Sequence, residues 1–318
     1  MKVSEVSLGT WQVGGGWGGT FDTAQAERIL ETAIDGGVNF IDTADVYDDG
    51  ASEAAVGSVV RRRRENLFVA SKCGRQLNPH VSDSYTPVAL RGFVEASLKN
   101  TGLERLDLIQ LHCPPTEVYY RPEIFELFER LKEEGKIAHM GVSVEKVEEA
   151  EKAILFPVVE TVQIIFNMFR LRPRERFFSE ALRRGVGVIV RVPLASGLLS
   201  GKFSASSVFD PGDHRAFNRD GAAFDKGETF SGVPYEAALG AVEELRGLLP
   251  SEAPMAESAL RWVLDHPAVS TVIPGASRPE QVRSNLEASD AVPLSREVHQ
   301  AVEALYHRVI APEVHDRW

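Results

Sequence analysis

Short β-branched and aliphatic runs alternate along the chain with longer segments in which apolar residues recur every three or four positions. The short runs predict strands at Val6–Thr10, Asn39–Thr43, Leu67–Ser71, Leu106–Leu111, Ala138–Val142, Thr161–Phe166, Gly187–Val192 and Ser270–Ile273. Helical patterns fill the gaps at Ala24–Asp35, Ser52–Arg63, Pro87–Asn100, Pro122–Glu134, Lys146–Leu155, Pro173–Arg184 and from Tyr235 to His266, then at Pro279–Ala288 and Ser295–Val309. Several open on Pro or Ser and stop near a glycine, as at Gly36, Gly102, Gly135 and Gly185, which is the usual punctuation of helix ends. Eight strands, each followed by helix, imply a parallel sheet, and eight is the number that closes a barrel. The expected fold is α/β: an eight-stranded parallel (β/α)8 TIM barrel with an additional C-terminal helix. No linker divides residues 1–318, so one domain is expected. The long connection Ser204–Pro234, after the seventh strand, shows no regular pattern and suits a lid or binding loop.

Composition narrows the partners. The formal net charge of −11 argues against nucleic acid or an anionic membrane surface as partner. The two cysteines, Cys73 and Cys113, form no disulfide framework, and no zinc spacing or other metal motif is present. The start MKVSEVSLGT has no basic segment followed by an apolar run, and no apolar stretch approaches the ~18 residues of a membrane span. A cytoplasmic protein is expected.

Gly14, Gly16 and Gly19 satisfy the G-x-G-x-x-G spacing of a dinucleotide fingerprint. The run lies, however, in a long loop from Thr10 to about Asp22, whereas a Rossmann turn is tight. A glycine-rich loop at the barrel mouth is the better reading, with Trp11 and Trp17 as apolar walls of a substrate pocket.

Active sites of such barrels lie at the C-terminal strand ends. The polar residues there are Asp42 with Tyr47 just beyond it, Lys72, His112 and Ser143. Singly, each has a plain structural explanation: a helix cap, a core ion pair, a satisfied loop histidine. Together an acid, a phenol, an amine and an imidazole at one rim make a proton-transfer site. Hydride attack on a carbonyl builds negative charge on oxygen and needs a proton donor. Tyr47 is protonated at neutral pH, Lys72 beside it favours the phenolate, Asp42 keeps that ammonium charged, and His112 can orient the carbonyl.

The segment Gly37-Val38-Asn39-Phe40-Ile41-Asp42-Thr43-Ala44-Asp45-Val46-Tyr47, with Ser52-Glu53 after it, resembles the first signature of the aldo-keto reductase family. Leu106 to His112, Gly135-Lys136-Ile137 and Gly141-Val142-Ser143 resemble its following blocks, in order, and the similarity extends from Val3 nearly to the C-terminus. The resemblance implies reduction of small carbonyl compounds, or reversible oxidation of alcohols or sugars, with a nicotinamide cofactor. It makes Asp42, Tyr47, Lys72 and His112 catalytic, Tyr47 the general acid, and Ser143 and Gln163 holders of the carboxamide. A slow, cofactor-binding redox sensor is the alternative that some relatives suggest.

Two segments suit an anionic dinucleotide by their chemistry: Gly197, Leu198, Ser200 and Lys202 after the seventh strand, and Gly275, Ser277 and Arg278 before the last barrel helix. Both resemble the family's cofactor segments, with Gln281 and Asn285 near the adenine. Arg278, and less directly Lys202, could meet a 2′-phosphate, so NADPH is the expected cofactor, with NADH possible. The chain departs from the family pattern at Val144, where Asn is frequent, at Ser284, where an acid is frequent, and at Gln281, where many relatives carry arginine. Set against the family pattern, the sequence is expected to open on its first barrel strand without the usual hairpin and to end in a short C-terminal tail. Arg191 stands where an aromatic commonly stacks on the nicotinamide. It would either lie against that ring itself or pair with a carboxylate at the rim.

Overall fold

A computed structural model describes residues 1–15 and 20–318. Trp17, proposed above as a pocket wall, lies outside the described residues. The chain runs β1 (Leu8–Gly9), α1 (Thr23–Asp35), β2 (Phe40–Asp42), α2 (Ala51–Val60), β3 (Phe68–Cys73), α3 (Pro87–Thr101), β4 (Leu106–His112), α4 (Pro122–Glu133) and β5 (Ile137–Ser143). It continues through α5 (Val147–Ala153), β6 (Val159–Ile165), α6 (Phe177–Arg184), β7 (Gly187–Arg191), α7 (His214–Phe217), α8 (Tyr235–Leu248), α9 (Met255–Leu264), β8 (Val269–Val272), α10 (Pro279–Asp290), α11 (Arg296–Leu305) and α12 (Ala311–Val314). The strands pair in sequence order. Parallel bridges Val6–Val272 and Gly9–Gly275 bring β1 against β8 and close the (β/α)8 barrel.

Helix starts follow the sequence signals. The Asp22 side chain accepts the Gln25 amide at the start of α1, Thr86 accepts the Ala89 amide ahead of Pro87, and α3 stops at Gly102 with φ +64°. Three expectations need correction. The Tyr235–His266 pattern is two helices, because Pro250 and Pro254 fall between them and cannot donate to the helix ladder. The Pro173–Arg184 pattern is a 3-10 turn over Arg172–Arg174 followed by α6.

The third is the loop Ser204–Pro234, which contains α7 and short turns at Lys226–Glu228 and Phe230–Gly232. Its order has local causes that periodicity does not register. The Asn218 side-chain oxygen accepts the amides of Ala223 and Phe224. The Arg215 and Arg219 guanidinium groups lie over Phe209 and Tyr235, 4.9 and 4.8 Å from the ring centres. The Trp318 indole donates to Asp225 at 2.8 Å.

Pleating sends alternate side chains of each strand into the barrel. Phe40, Ala70, Leu108, Ile189 and Ile273 form one inner apolar cluster, with Val3 and Phe68 packed against it. Two positions further along their strands, the next inward residues are Asp42, Lys72, Gln110 and Arg191. The barrel interior therefore changes from hydrocarbon to charge within one step of the pleat. No helix among the described residues is long and apolar enough to cross a membrane.

Candidate active site

That polar layer is held together by hydrogen bonds. Lys72 Nζ donates to Asp42 Oδ1 at 2.5 Å, to the Thr43 carbonyl at 2.9 Å and to the Tyr47 hydroxyl at 3.0 Å. Lys72 is fully buried and Asp42 nearly so. The other Asp42 oxygen accepts from Gln110 Nε2 at 3.0 Å and Gln163 Nε2 at 2.8 Å. Every donor of the ammonium and both carboxylate oxygens are thus partnered, which a buried ion pair requires. The sequence reading missed Gln110, although its place two residues before His112 puts it on the same inward row. Gln163, expected to hold a carboxamide, spends its amide nitrogen on Asp42 and on Gln110 Oε1, the latter at 3.2 Å.

Tyr47 enters from the turn that follows β2, where Asp48, Asp49 and Gly50 all have positive φ. Its ring lies edge-on to His112, centroids 6.0 Å apart, and stacks with Trp11 at 6.1 Å. Burial raises the pKa of the phenol, and this outweighs the downward pull of Lys72. The net shift is therefore opposite to the one Lys72 alone would give, and Tyr47 is held as a proton donor. Burial works to lower the Lys72 pKa too, but Asp42 and Tyr47 raise it and keep the ammonium charged. Burial, with Arg75 and Lys72 nearby, holds His112 well below its ordinary pKa, so the imidazole is neutral. Its Nδ1 is buried without a hydrogen-bond partner.

Trp11 also meets His214 of α7 and Phe224 of the lid, at 5.3 and 5.8 Å between ring centres. The aromatic cluster beside Tyr47 therefore includes residues of the Ser204–Pro234 connection, the lid segment, which the strand ends do not mark.

Arg191 is 8% exposed and doubly paired. It reaches Glu145 at 2.9 Å and the lid's Glu228 at 3.4 Å, and also donates to the Val144 carbonyl at 3.1 Å. The rim ion pair considered above is thus present. Arg75, just past β3, reaches Glu228 at 2.9 Å and Glu145 at 4.0 Å. Cys113, Glu145 and Glu228 present atoms within 4.8 Å of one another, a spacing a cation could use. Two guanidinium groups already face those carboxylates. Directly after the strand ends, Cys113 and Val192 sit at φ +48° and +51°, strained for side chains of these types. Asn167 holds the Val192 carbonyl and the lid's Ser231 hydroxyl, each at 2.8 Å.

The cofactor-type segments lie on the same face. Ser143 is buried beside Cys113, Oγ to Sγ 3.6 Å. Gly197 has φ +94° within a turn that buries Leu198, and Ser200 Oγ donates to the Gly197 carbonyl at 2.6 Å. Gly275 is bridged to Gly9, and α10 begins at Pro279 with no side chain capping its first turn. The Ser277 amide and hydroxyl both donate to Gln281 Oε1, at 2.8 and 3.1 Å, while Asn285 is buried. Lys202 and Arg278 are exposed, and neither makes an ion pair among the described residues.

This site on this barrel defines a class. A model of the aldo/keto reductase family matches residues 5–307, and the chain belongs to that family of oxidoreductases acting on carbonyl and alcohol groups. It is 29% identical over 307 residues to the uncharacterized oxidoreductase YqkF of Bacillus subtilis, covering 96% of this chain and 93% of that one. It is 28% identical over 334 residues to a protein of Escherichia coli named NADH-specific methylglyoxal reductase, covering 95% and 97%. The solved glycerol dehydrogenase AKR11B4 of Gluconobacter oxydans is similar with a TM-score of 0.78 at 29% identity, covering 97% of this chain and 93% of that one.

Proposed function

We propose that this protein reduces small aldehydes or ketones with a nicotinamide cofactor, and that Tyr47 delivers the proton. The observation that carries the reading is the buried Asp42–Lys72–Tyr47 chain, with both links at hydrogen-bond length. In the reducing direction the Tyr47 hydroxyl gives its proton to the carbonyl oxygen. Lys72 stabilises the phenolate left behind, Asp42 keeps Lys72 charged, and neutral His112 orients the oxygen through a ring N–H. The same groups run alcohol oxidation in reverse, with the phenolate as base.

The residues present fit the cofactor. When bound, the nicotinamide supplies or accepts the hydride. Ser143 and Gln163, paired across β5 and β6, would hold its amide, and the uncapped first turn of α10 suits a phosphate. Arg278 and Lys202, two unpaired cations on a protein of net charge −11, favour NADPH over NADH. The relative in Escherichia coli is named for NADH, so this preference is our reading of these residues alone. The intact array favours turnover over slow redox sensing.

Steady-state assays of a carbonyl panel with NADPH and NADH test the reading. Cofactor oxidation dependent on an aldehyde or ketone is expected, and its absence across the panel overturns it. Arg278→Ala should raise the NADPH dissociation constant roughly 10- to 150-fold, for a charge-assisted contact of about 1.5–3 kcal/mol, and leave NADH unchanged. Equal effects on the two nucleotides would remove Arg278 as the phosphate contact.

A further inference from the structure

The Arg75–Arg191–Glu145–Glu228 cluster has no part in the proton transfer just described, yet it occupies the strand ends beside it. Arg191 registers with Ile165 on β6, two positions beyond Gln163, which in turn registers with Ser143 on β5; on the cofactor reading given above, its guanidinium would meet the nicotinamide face. Two carboxylates, one from the β5 end and one from the lid, converge on this guanidinium. Their nearest oxygens are within 4.8 Å, and Glu145 Oε1 is buried without a hydrogen-bond partner. Two ionised carboxylates that close in a buried site repel each other, which favours a proton on one of them. A proton held between them would give Glu145 Oε1 the partner it lacks.

We propose that Glu145 and Glu228 share one proton and thereby determine which oxidation state of the nicotinamide the site prefers. This rests on the reading that Arg191 faces the nicotinamide. With one proton shared, two guanidinium groups face a single negative charge and the cluster is net positive. The oxidised ring is a cation and is repelled, whereas the reduced ring is neutral. Loss of the shared proton neutralises the cluster and removes that bias.

The titrations agree in direction. Burial pushes Glu145 up to about 8, with the Glu228 charge adding to it against the pull of Arg191. Burial also works against Glu228, but Arg75 and Arg191 outweigh it and hold that carboxylate low. The charged or titratable groups facing Glu145 are Arg191 from β7, Arg75 after β3, Cys113 after β4, Arg170 after β6, and Glu228 and Asp225 from the lid. Burial raises the Cys113 thiol pKa, so it stays neutral. Asp45, pushed up to about 7 mainly by burial, titrates near Lys72 rather than in this cluster, and it survives unaltered in the variants below.

The dissociation constants of NADP+ and NADPH should therefore be measured by fluorescence titration from about pH 6 to about pH 9.5, at fixed salt, in the wild type, Glu145→Gln and Glu228→Gln. The 2′-phosphate titrates identically in both nucleotides and cancels in their ratio. In the wild type the ratio of the NADP+ to the NADPH constant should fall roughly tenfold as Glu145 ionises, because NADP+ alone gains. Each Gln variant leaves one carboxylate against two arginines at every pH, so its ratio should stay flat near the wild-type acidic value. A wild-type ratio independent of pH overturns the proposal, as does a fall of the same size in Glu145→Gln. Failure of the wild type to bind either nucleotide is a different result. It removes the reading of the cofactor site itself, and the proposal with it.

Discussion

Tyr47→Phe should lower kcat for carbonyl reduction by roughly 10²- to 10⁴-fold, the usual worth of a positioned general acid, and move nucleotide affinity less than about threefold. The substitution removes one hydroxyl and little else. The ring keeps its stack on Trp11 and its edge contact with His112. Lys72 loses one acceptor but retains Asp42 and the Thr43 carbonyl. The His112 imidazole remains and can still polarise a carbonyl, but it is neutral and a poor proton donor beside a phenol held in place by an ammonium. Because burial raises the Tyr47 pKa, the acid form persists through neutral pH. The falling limb of wild-type reduction should lie above the ordinary phenol value of about 10, and it should be absent from the residual activity of the variant. Full activity in Tyr47→Phe would remove Tyr47 as the acid.

How much of this site is legible in the sequence depends on whether a residue is placed by the pleat or by the lid. Asp42, Lys72 and His112 sit at strand ends. A strand pattern that predicts Leu67–Ser71 already points to Lys72 as the next inward position, and β3 in fact continues to Cys73. Gln110 obeys the same alternation, but by type alone it reads as an ordinary polar residue inside a motif. Tyr47 is legible only as a phenol just beyond a strand end, since a turn through three left-handed residues, and not the pleat, sets its direction. Glu228 could not be found from periodicity. It lies 153 positions from Arg75, on a segment ordered by an asparagine hub, arginine–aromatic stacks and Trp318. None of these leaves a repeating signal. The same limit explains Arg191: its sequence environment announces a charge in an apolar strand, while its partners come from β5 and the lid.

Lys72→Met should be inactive for a different reason from Tyr47→Phe, and it should also be unstable. Lys72 is buried with a raised pKa, so its contribution is fully present below the unfolded lysine value of about 10.4 and fades only as pH rises through the higher folded value. At neutral pH its removal strands the buried Asp42 carboxylate, which leaves an uncompensated charge worth about 3–5 kcal/mol of stability. The amides of Gln110 and Gln163 still reach one Asp42 oxygen, but hydrogen bonds from neutral groups do not replace the ammonium. Loss of kcat of at least roughly 10²-fold should accompany it, because nothing then stabilises the phenolate. Stability and catalysis separate in the double variant Asp42→Asn with Lys72→Met. No charge is left buried there, and the oxygen of the introduced carboxamide can still accept from both glutamines. Chemical denaturation should find the double variant about 1–3 kcal/mol more stable than Lys72→Met alone, a coupling expected only of residues in direct contact. Its kcat should stay as low as that of the single variant. If the two substitutions destabilise additively, Asp42 and Lys72 are not the interdependent pair drawn here. If Lys72→Met keeps kcat within about threefold, the ammonium is not what stabilises the phenolate in proton transfer.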